Sequence, residues 1–274
     1  MDPLFSVADQ IVLVTGGSRG IGRAIAQGFV DRGAQVVIVG RDASALNSAA
    51  EEMNSRQAGT PASRPRRDVV RPIVCDVAKN REIEQLVEFV IAEYGRIDTL
   101  VNVAGVNRRK AVLDVTEDDY DYVLDINLKG SFFMCRAVGR HMVERGAGCQ
   151  INIASLNSDR PLKNVLPYAM SKAGIAHLTR GLAVEWSGRG VRVNAIAPGF
   201  ILTDLTRKLW SDPVMQAWGD ANTPQRRLGQ PEDMVGAAIF LASQASAFMT
   251  GQTIYVDGGF TAGWAWPIPA SGGQ

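Results

Sequence analysis

The chain has 274 residues, 46% of them hydrophobic, which suits one large α/β domain better than two small ones. Lys and Arg total 29 against 28 Asp and Glu, and no apolar run approaches the roughly 20 residues that cross a bilayer. The expected partner is therefore a small molecule, with no nucleic acid and no membrane, in the cytoplasm. Cys75, Cys135 and Cys149 stand far apart with no CxxC pair, which argues against a disulfide framework and a zinc site.

Short β-branched runs at residues 11–15, 36–39, 73–75, 99–102, 151–154, 191–196 and 253–256 alternate with longer amphipathic stretches. That pattern predicts a doubly wound parallel sheet of the Rossmann type. Ligands bind such sheets beyond the carboxyl ends of the strands, so functional residues are expected just after each strand. The first strand runs into Thr15-Gly16-Gly17-Ser18-Arg19-Gly20-Ile21-Gly22 and then a helical stretch from Arg23. A glycine-rich turn in that setting lets backbone approach a pyrophosphate, whose charge is attracted by the N–H groups of the helix start. Gly16, Ser18, Arg19, Gly20, Ile21 and Gly22 are thus candidate dinucleotide contacts.

Where NAD sites usually place a carboxylate for the ribose hydroxyls, the second strand ends in Gly40 and Arg41. Arg41, with Arg19 as a second guanidinium, suits a 2′-phosphate. NADP(H) is the expected cofactor, and NAD(H) stays open if Asp42 is the ribose acid. Residues 59–72 hold three prolines and four arginines without an apolar period, and are expected to form a surface loop.

The fourth strand leads into Asn102-Val103-Ala104-Gly105, Asn127 falls in the amphipathic stretch 120–138, and the fifth strand ends at Ser155. Tyr168-Ala169-Met170-Ser171-Lys172 puts a phenol and an ammonium on one helix face. A phenol with a free pKa of about 10 is a poor base at neutral pH, but an adjacent cation stabilises the phenolate. Ser155 either hydrogen-bonds a substrate oxygen as charge develops or starts a loop, and Asn127 is either functional or an ordinary buried amide. Residues 202–227, with Trp210, Trp218 and two prolines, form a candidate substrate lid. The tail, residues 260–274, carries Trp264 and Trp266.

Together these residues resemble the short-chain dehydrogenase/reductase family, marked by TGxxxGxG, an NAG-like turn and an Asn, Ser, Tyr-x-x-x-Lys tetrad. The resemblance implies hydride transfer between a nicotinamide and a carbonyl or alcohol. Tyr168 would be the acid–base and Ser155 would polarise the carbonyl. Lys172 would lower the tyrosine pKa and bind the nicotinamide ribose, and Asn127 would hold a proton-relay water. Asp76 and Val77 would contact the adenine, Asn102, Ala104 and Gly105 would floor the cofactor site, and Pro198, Gly199, Ile201 and Thr203 would hold the carboxamide. Val103 departs from the more usual second Asn of the NAG-like turn. A homotetramer is the common assembly, with Trp264 and Trp266 as an intersubunit plug.

Within the family, Asn107-Arg108-Arg109-Lys110 and Thr223-Pro224-Gln225-Arg226-Arg227-Leu228-Gly229 resemble sugar-acid and polyol dehydrogenases. Arg109 would then pair with a substrate carboxylate, as in gluconate, unless residues 108–110 are only an exposed charged turn. The alternative substrate class is a neutral ketone or 3-oxoacyl thioester, with Leu156, Leu162, Val165 and Leu166 lining an apolar pocket. A dinucleotide-sensing regulator on the same fold would be expected to lack a catalytic residue, whereas all four are present.

Overall fold

Strand β1 (Ile11–Thr15) is buried along its whole length, because its apolar run offers no face to water. In the computed structural model, which describes residues 2–57 and 69–263, it pairs in parallel with β2 (Gln35–Gly40) and β4 (Thr99–Asn102). Strands β3 (Val70–Val74), β5 (Gly148–Ile153), β6 (Val191–Pro198) and β7 (Thr253–Val256) complete a seven-stranded sheet in the order β3-β2-β1-β4-β5-β6-β7. All six pairings are parallel. After β3 the chain returns to the other side of β1, and this reversal opens a crevice at the carboxyl ends of β1 and β4.

The helices are α1 (Gly20–Val30), α2 (Ala43–Gln57), α3 (Asn80–Tyr94), α4 (Glu117–Leu124), α5 (Gly130–Arg145), α6 (Leu166–Trp186), α7 (Asp204–Trp210), α8 (Pro213–Asn222) and α9 (Val235–Ala242). Alternation along β1 sorts them into two layers. Val12 and Val14 join Ile25 and Phe29 of α1, Met53 of α2 and Leu241 of α9 in one core. Leu13 faces the opposite way, into a core with Ile83 of α3, Met134 of α5 and Leu182 of α6. No described helix is long and apolar enough to cross a membrane.

The sheet corrects several expected boundaries: β5 starts at Gly148 and not at residue 151, and β6 runs on to Pro198. Strand β3 starts at Val70 and not at residue 73, and its residues Arg71 and Pro72 pair with Val37 and Ile38. Proline lacks the N–H a central strand needs, but β3 is an edge strand and tolerates it. The rest of the expected 59–72 loop lies almost entirely outside the described residues, as do Trp264 and Trp266 of the tail. Residues 202–227, the candidate lid, contain two short helices, α7 and α8.

Candidate active site

The turn after β1 is shaped by steric need. Gly16 has a φ of 67°, a region that side chains disfavour, and a Cβ on Gly22 would lie 2.2 Å from the Gly16 carbonyl oxygen. Helix α1 therefore starts hard against the turn, with no side-chain cap on its first N–H groups. Thr15 fixes the facing loop: its hydroxyl accepts from Val103 N at 3.0 Å and Ala104 N at 3.1 Å. Val103, where the family pattern has Asn, packs against the core and leaves this backbone arrangement intact. The sequence analysis missed Thr15, whose place at the strand end next to Gly16 was the available signal.

A cleft of about 520 Å³ opens from this turn. It runs from Gly16, Ser18, Arg19, Gly20, Ile21 and Gly22 past Arg41, Asp76 and Val77 to Ala104 and Gly105, then to Ser155, Tyr168, Lys172, Pro198, Gly199, Ile201 and Thr203. An elongated groove with a tight glycine cradle fits a nicotinamide dinucleotide, and Arg19, Arg41 and Asp42 all line it. Asp42 spends a carboxylate oxygen on Ala45 N at 3.1 Å, capping α2. Arg19 and Arg41 pair with no acid among the described residues. Asn102 is the exception among the expected cofactor contacts. Its amide donates to Asn152 Oδ1 at 3.0 Å and Cys135 Sγ at 3.2 Å, so it braces the floor from behind and does not line the cleft.

At the other end, α6 places Tyr168 and Lys172 one turn apart. Lys172 is 4% exposed; its Nζ donates to Ile153 O at 2.6 Å and sits 5.7 Å from the Tyr168 ring centroid. Burial pushes its pKa down to about 8. Burial pushes the Tyr168 phenol up, against the opposing pull of a hydrogen bond from Ser155 and the positive charge of Arg109. The sequence analysis had assigned that electrostatic help to Lys172 alone.

Asn127 lies in a π-helical turn, Asp125–Lys129, between α4 and α5. Its Oδ1 accepts from Val106 N at 2.8 Å, and its Nδ2 donates to Val106 O at 2.9 Å and Ser171 Oγ at 3.0 Å. Ser171 in turn donates to Tyr168 O at 2.7 Å. Asn127 thus ties the loop after β4 to the helix that carries Tyr168. Both of its N–H groups are spent, so a water beside it has to act as the donor.

Arg109 is set apart from its neighbours by charge pairing. Arg108 Nη1 meets Asp119 Oδ1 at 2.7 Å, Lys110 Nζ meets Asp119 Oδ2 at 2.5 Å, and Arg108 also stacks over Tyr122 at 4.2 Å. These two cations hold the Asp119 carboxyl well below the usual range. Lys110 N donates to Asn164 O at 3.0 Å, which draws this loop to the start of α6. Arg109 is exposed, has no acidic partner among the described residues, and its field reaches Tyr168. Asp119 was not foreseen as the clamp, although Thr116-x-x-Asp119 reads as a capping box and forms one.

Thr203, Asp204, Leu205 and Thr206, at the start of α7, wall the cleft. The tryptophans lie behind them: Phe200 meets the rings of Trp210 at 5.1 Å, Trp218 at 5.5 Å and Phe260 at 4.8 Å. Leu156 and Val165 are buried, Leu166 is exposed, and none of these, nor Leu162, nor Arg109, is among the residues that line the cleft. A second hollow of about 450 Å³ lies beyond Gly199 and Ile201. Its Arg227 and Asp233 already pair with each other at 2.7 Å.

A family model described as enoyl-(acyl carrier protein) reductase matches residues 16–261. The chain is 38% identical to gluconate 5-dehydrogenase of Gluconobacter oxydans (strain 621H), over 94% of this chain and 97% of that protein. It is 39% identical to D-threitol dehydrogenase of Mycolicibacterium smegmatis, over 94% and 95%. Among solved structures, a gluconate 5-dehydrogenase from Burkholderia cenocepacia J2315 in complex with NADP and tartrate matches with a TM-score of 0.89 and 36% identity, over 95% and 98% of the two chains.

Proposed function

The chain belongs to the short-chain dehydrogenase/reductase family, and from that premise we propose that it is an NADP(H)-dependent dehydrogenase of a sugar acid, interconverting gluconate and its 5-keto form. It is an oxidoreductase acting on CH–OH groups with a nicotinamide dinucleotide. When bound, that cofactor supplies or accepts the hydride. The glycine turn cradles its pyrophosphate, while Arg41 and Arg19 receive the 2′-phosphate, a reading supported by the engagement of Asp42 in the α2 cap.

The remaining chemistry is proton handling at one oxygen. In reduction, the Tyr168 phenol gives its proton to the substrate oxygen, and the Ser155 hydroxyl donates a hydrogen bond to the same atom as negative charge develops. In oxidation, the proton returns from the alcohol to Tyr168. Lys172, fixed through Ile153 O, has two further N–H donors for ribose hydroxyls. Asn127 keeps the floor loop in register with α6. Residues 202–227 close the substrate end, α7 forming its wall.

The observation that supports the sugar-acid reading is the isolation of Arg109: both neighbouring cations are tied to Asp119, whereas Arg109 has no acidic partner among the described residues and its positive charge reaches Tyr168. A planar guanidinium pairs in bidentate fashion with a carboxylate. The test is Arg109→Ala, assayed with NADPH on 5-keto-D-gluconate beside a neutral ketone of similar size. Catalytic efficiency on the acid should fall by about 10-fold to 150-fold, as for a lost charged hydrogen bond of about 1.5–3 kcal/mol, with the neutral ketone hardly affected. Equal losses on both substrates, or wild-type turnover confined to neutral compounds, would move the assignment to a neutral polyol dehydrogenase. The similarity to D-threitol dehydrogenase favours that second reading.

A further inference from the structure

A hydroxyl has one proton and two lone pairs. Ser155 is 6% exposed, and its hydroxyl oxygen accepts from the backbone N–H of Asn157 at 3.1 Å and from Asn157 Nδ2 at 3.4 Å. One residue therefore occupies both lone pairs, and the proton is left to point into the cleft at the Tyr168 phenol, the partner that a bound substrate oxygen replaces. Asn157 is itself 8% exposed, and its Oδ1 accepts from Leu162 N at 3.1 Å. Flipping the amide would set Nδ2 against the Leu162 N–H, donor against donor, so the hydrogen-bond network fixes its orientation.

From this chain of contacts we infer that Asn157 is a positioning residue for the reaction: by filling both acceptor sites of Ser155 it leaves a hydroxyl that donates only, to the substrate oxygen. The inference rests on the reading of Ser155 as a donor to the reacting oxygen. Its chemical value is clearest in reduction, where Tyr168 and Ser155 converge on one atom. A serine with a free lone pair can accept the phenolic proton's hydrogen bond and divert it from the substrate. A serine whose lone pairs are both taken cannot.

Asn157→Asp tests this, because it keeps an acceptor for Leu162 N but turns an acceptor, in place of a donor, toward Ser155. Assays use NADPH with 5-keto-D-gluconate, or with the neutral ketone if that is what wild type reduces. Near pH 7, turnover relative to wild type should fall at least about tenfold, with the KM for NADPH within about twofold. The ratio should recover toward wild type as pH falls to about 5, because burial at this position raises the introduced carboxyl above its free value of about 3.9 and it protonates. The charged and titratable groups facing this region are Tyr168, Lys172, Arg109 and Asp204; burial raises Tyr168 and brings Lys172 to about 8, so both titrate above the window of about pH 5 to 7. A pH-independent ratio, or turnover within about twofold of wild type at neutral pH, overturns the inference. If Asn157→Asp loses cooperative melting, Asn157→Ala is compared in the wild-type and Ser155→Ala backgrounds. A loss in the first and none in the second supports the inference, and equal losses in both overturn it. Full turnover by Ser155→Ala alone would instead remove the donor role of Ser155, and the inference with it.

Discussion

At the glycine end the cleft is made of backbone: Gly16 at positive φ, the uncapped start of α1, and a loop held by two main-chain N–H groups on Thr15. At the Tyr168 end it is lined by side chains from separate stretches, Ser155 after β5, Tyr168 with Lys172 on α6, and Thr203 to Thr206 at the start of α7, with Asn127 of the π turn buried behind them and the charge of Arg109 reaching Tyr168 from outside the lining. The first end recognises a feature common to all dinucleotides, so geometry alone serves it. The second must tell one carbonyl compound from another, and its chemistry depends on where individual charges and protons are held.

Three changes probe that contrast. Tyr168→Phe should lower turnover at least about 100-fold, the usual scale for a lost general acid–base, while NADPH affinity followed by fluorescence stays within about twofold. Near-normal turnover would mean that the side-chain end is not where the chemistry occurs. Arg41→Ala should raise the KM for NADPH by about tenfold or more and leave NADH kinetics unchanged, in line with one lost charged hydrogen bond. A wild-type enzyme that works better with NADH would assign the ribose to Asp42 and withdraw the phosphate role from Arg41.

The third change is read in stability and not in turnover. Because burial lowers the Lys172 pKa from 10.5 to about 8, the unfolded chain binds more protons than the folded one between those values, and stability from this position rises with pH across the window. Below about pH 8 both states are protonated and the burial cost is present in full. Denaturant melts should therefore show wild type gaining up to about 3 kcal/mol relative to Lys172→Met between about pH 8 and 10, from 1.36 kcal/mol per pKa unit. A pH-independent difference would mean that Lys172 is solvated in the folded state.

The sequence by itself determined the seven strands, the glycine turn and the Tyr168–Lys172 pair, since each is written in a few consecutive residues by periodicity, spacing or steric demand. The β3 boundary was not legible there. Pro72 reads as a breaker until its strand is known to lie at the sheet edge. Nor could local pattern show that Asn102 turns into the core toward Asn152, 50 residues away, or that Asp119 neutralises Arg108 and Lys110 and leaves Arg109 free. A side chain's polarity is local, but its partner is chosen by the packing of segments far apart in the chain. The tertiary structure therefore decided which charges and protons at this site are spent and which remain available.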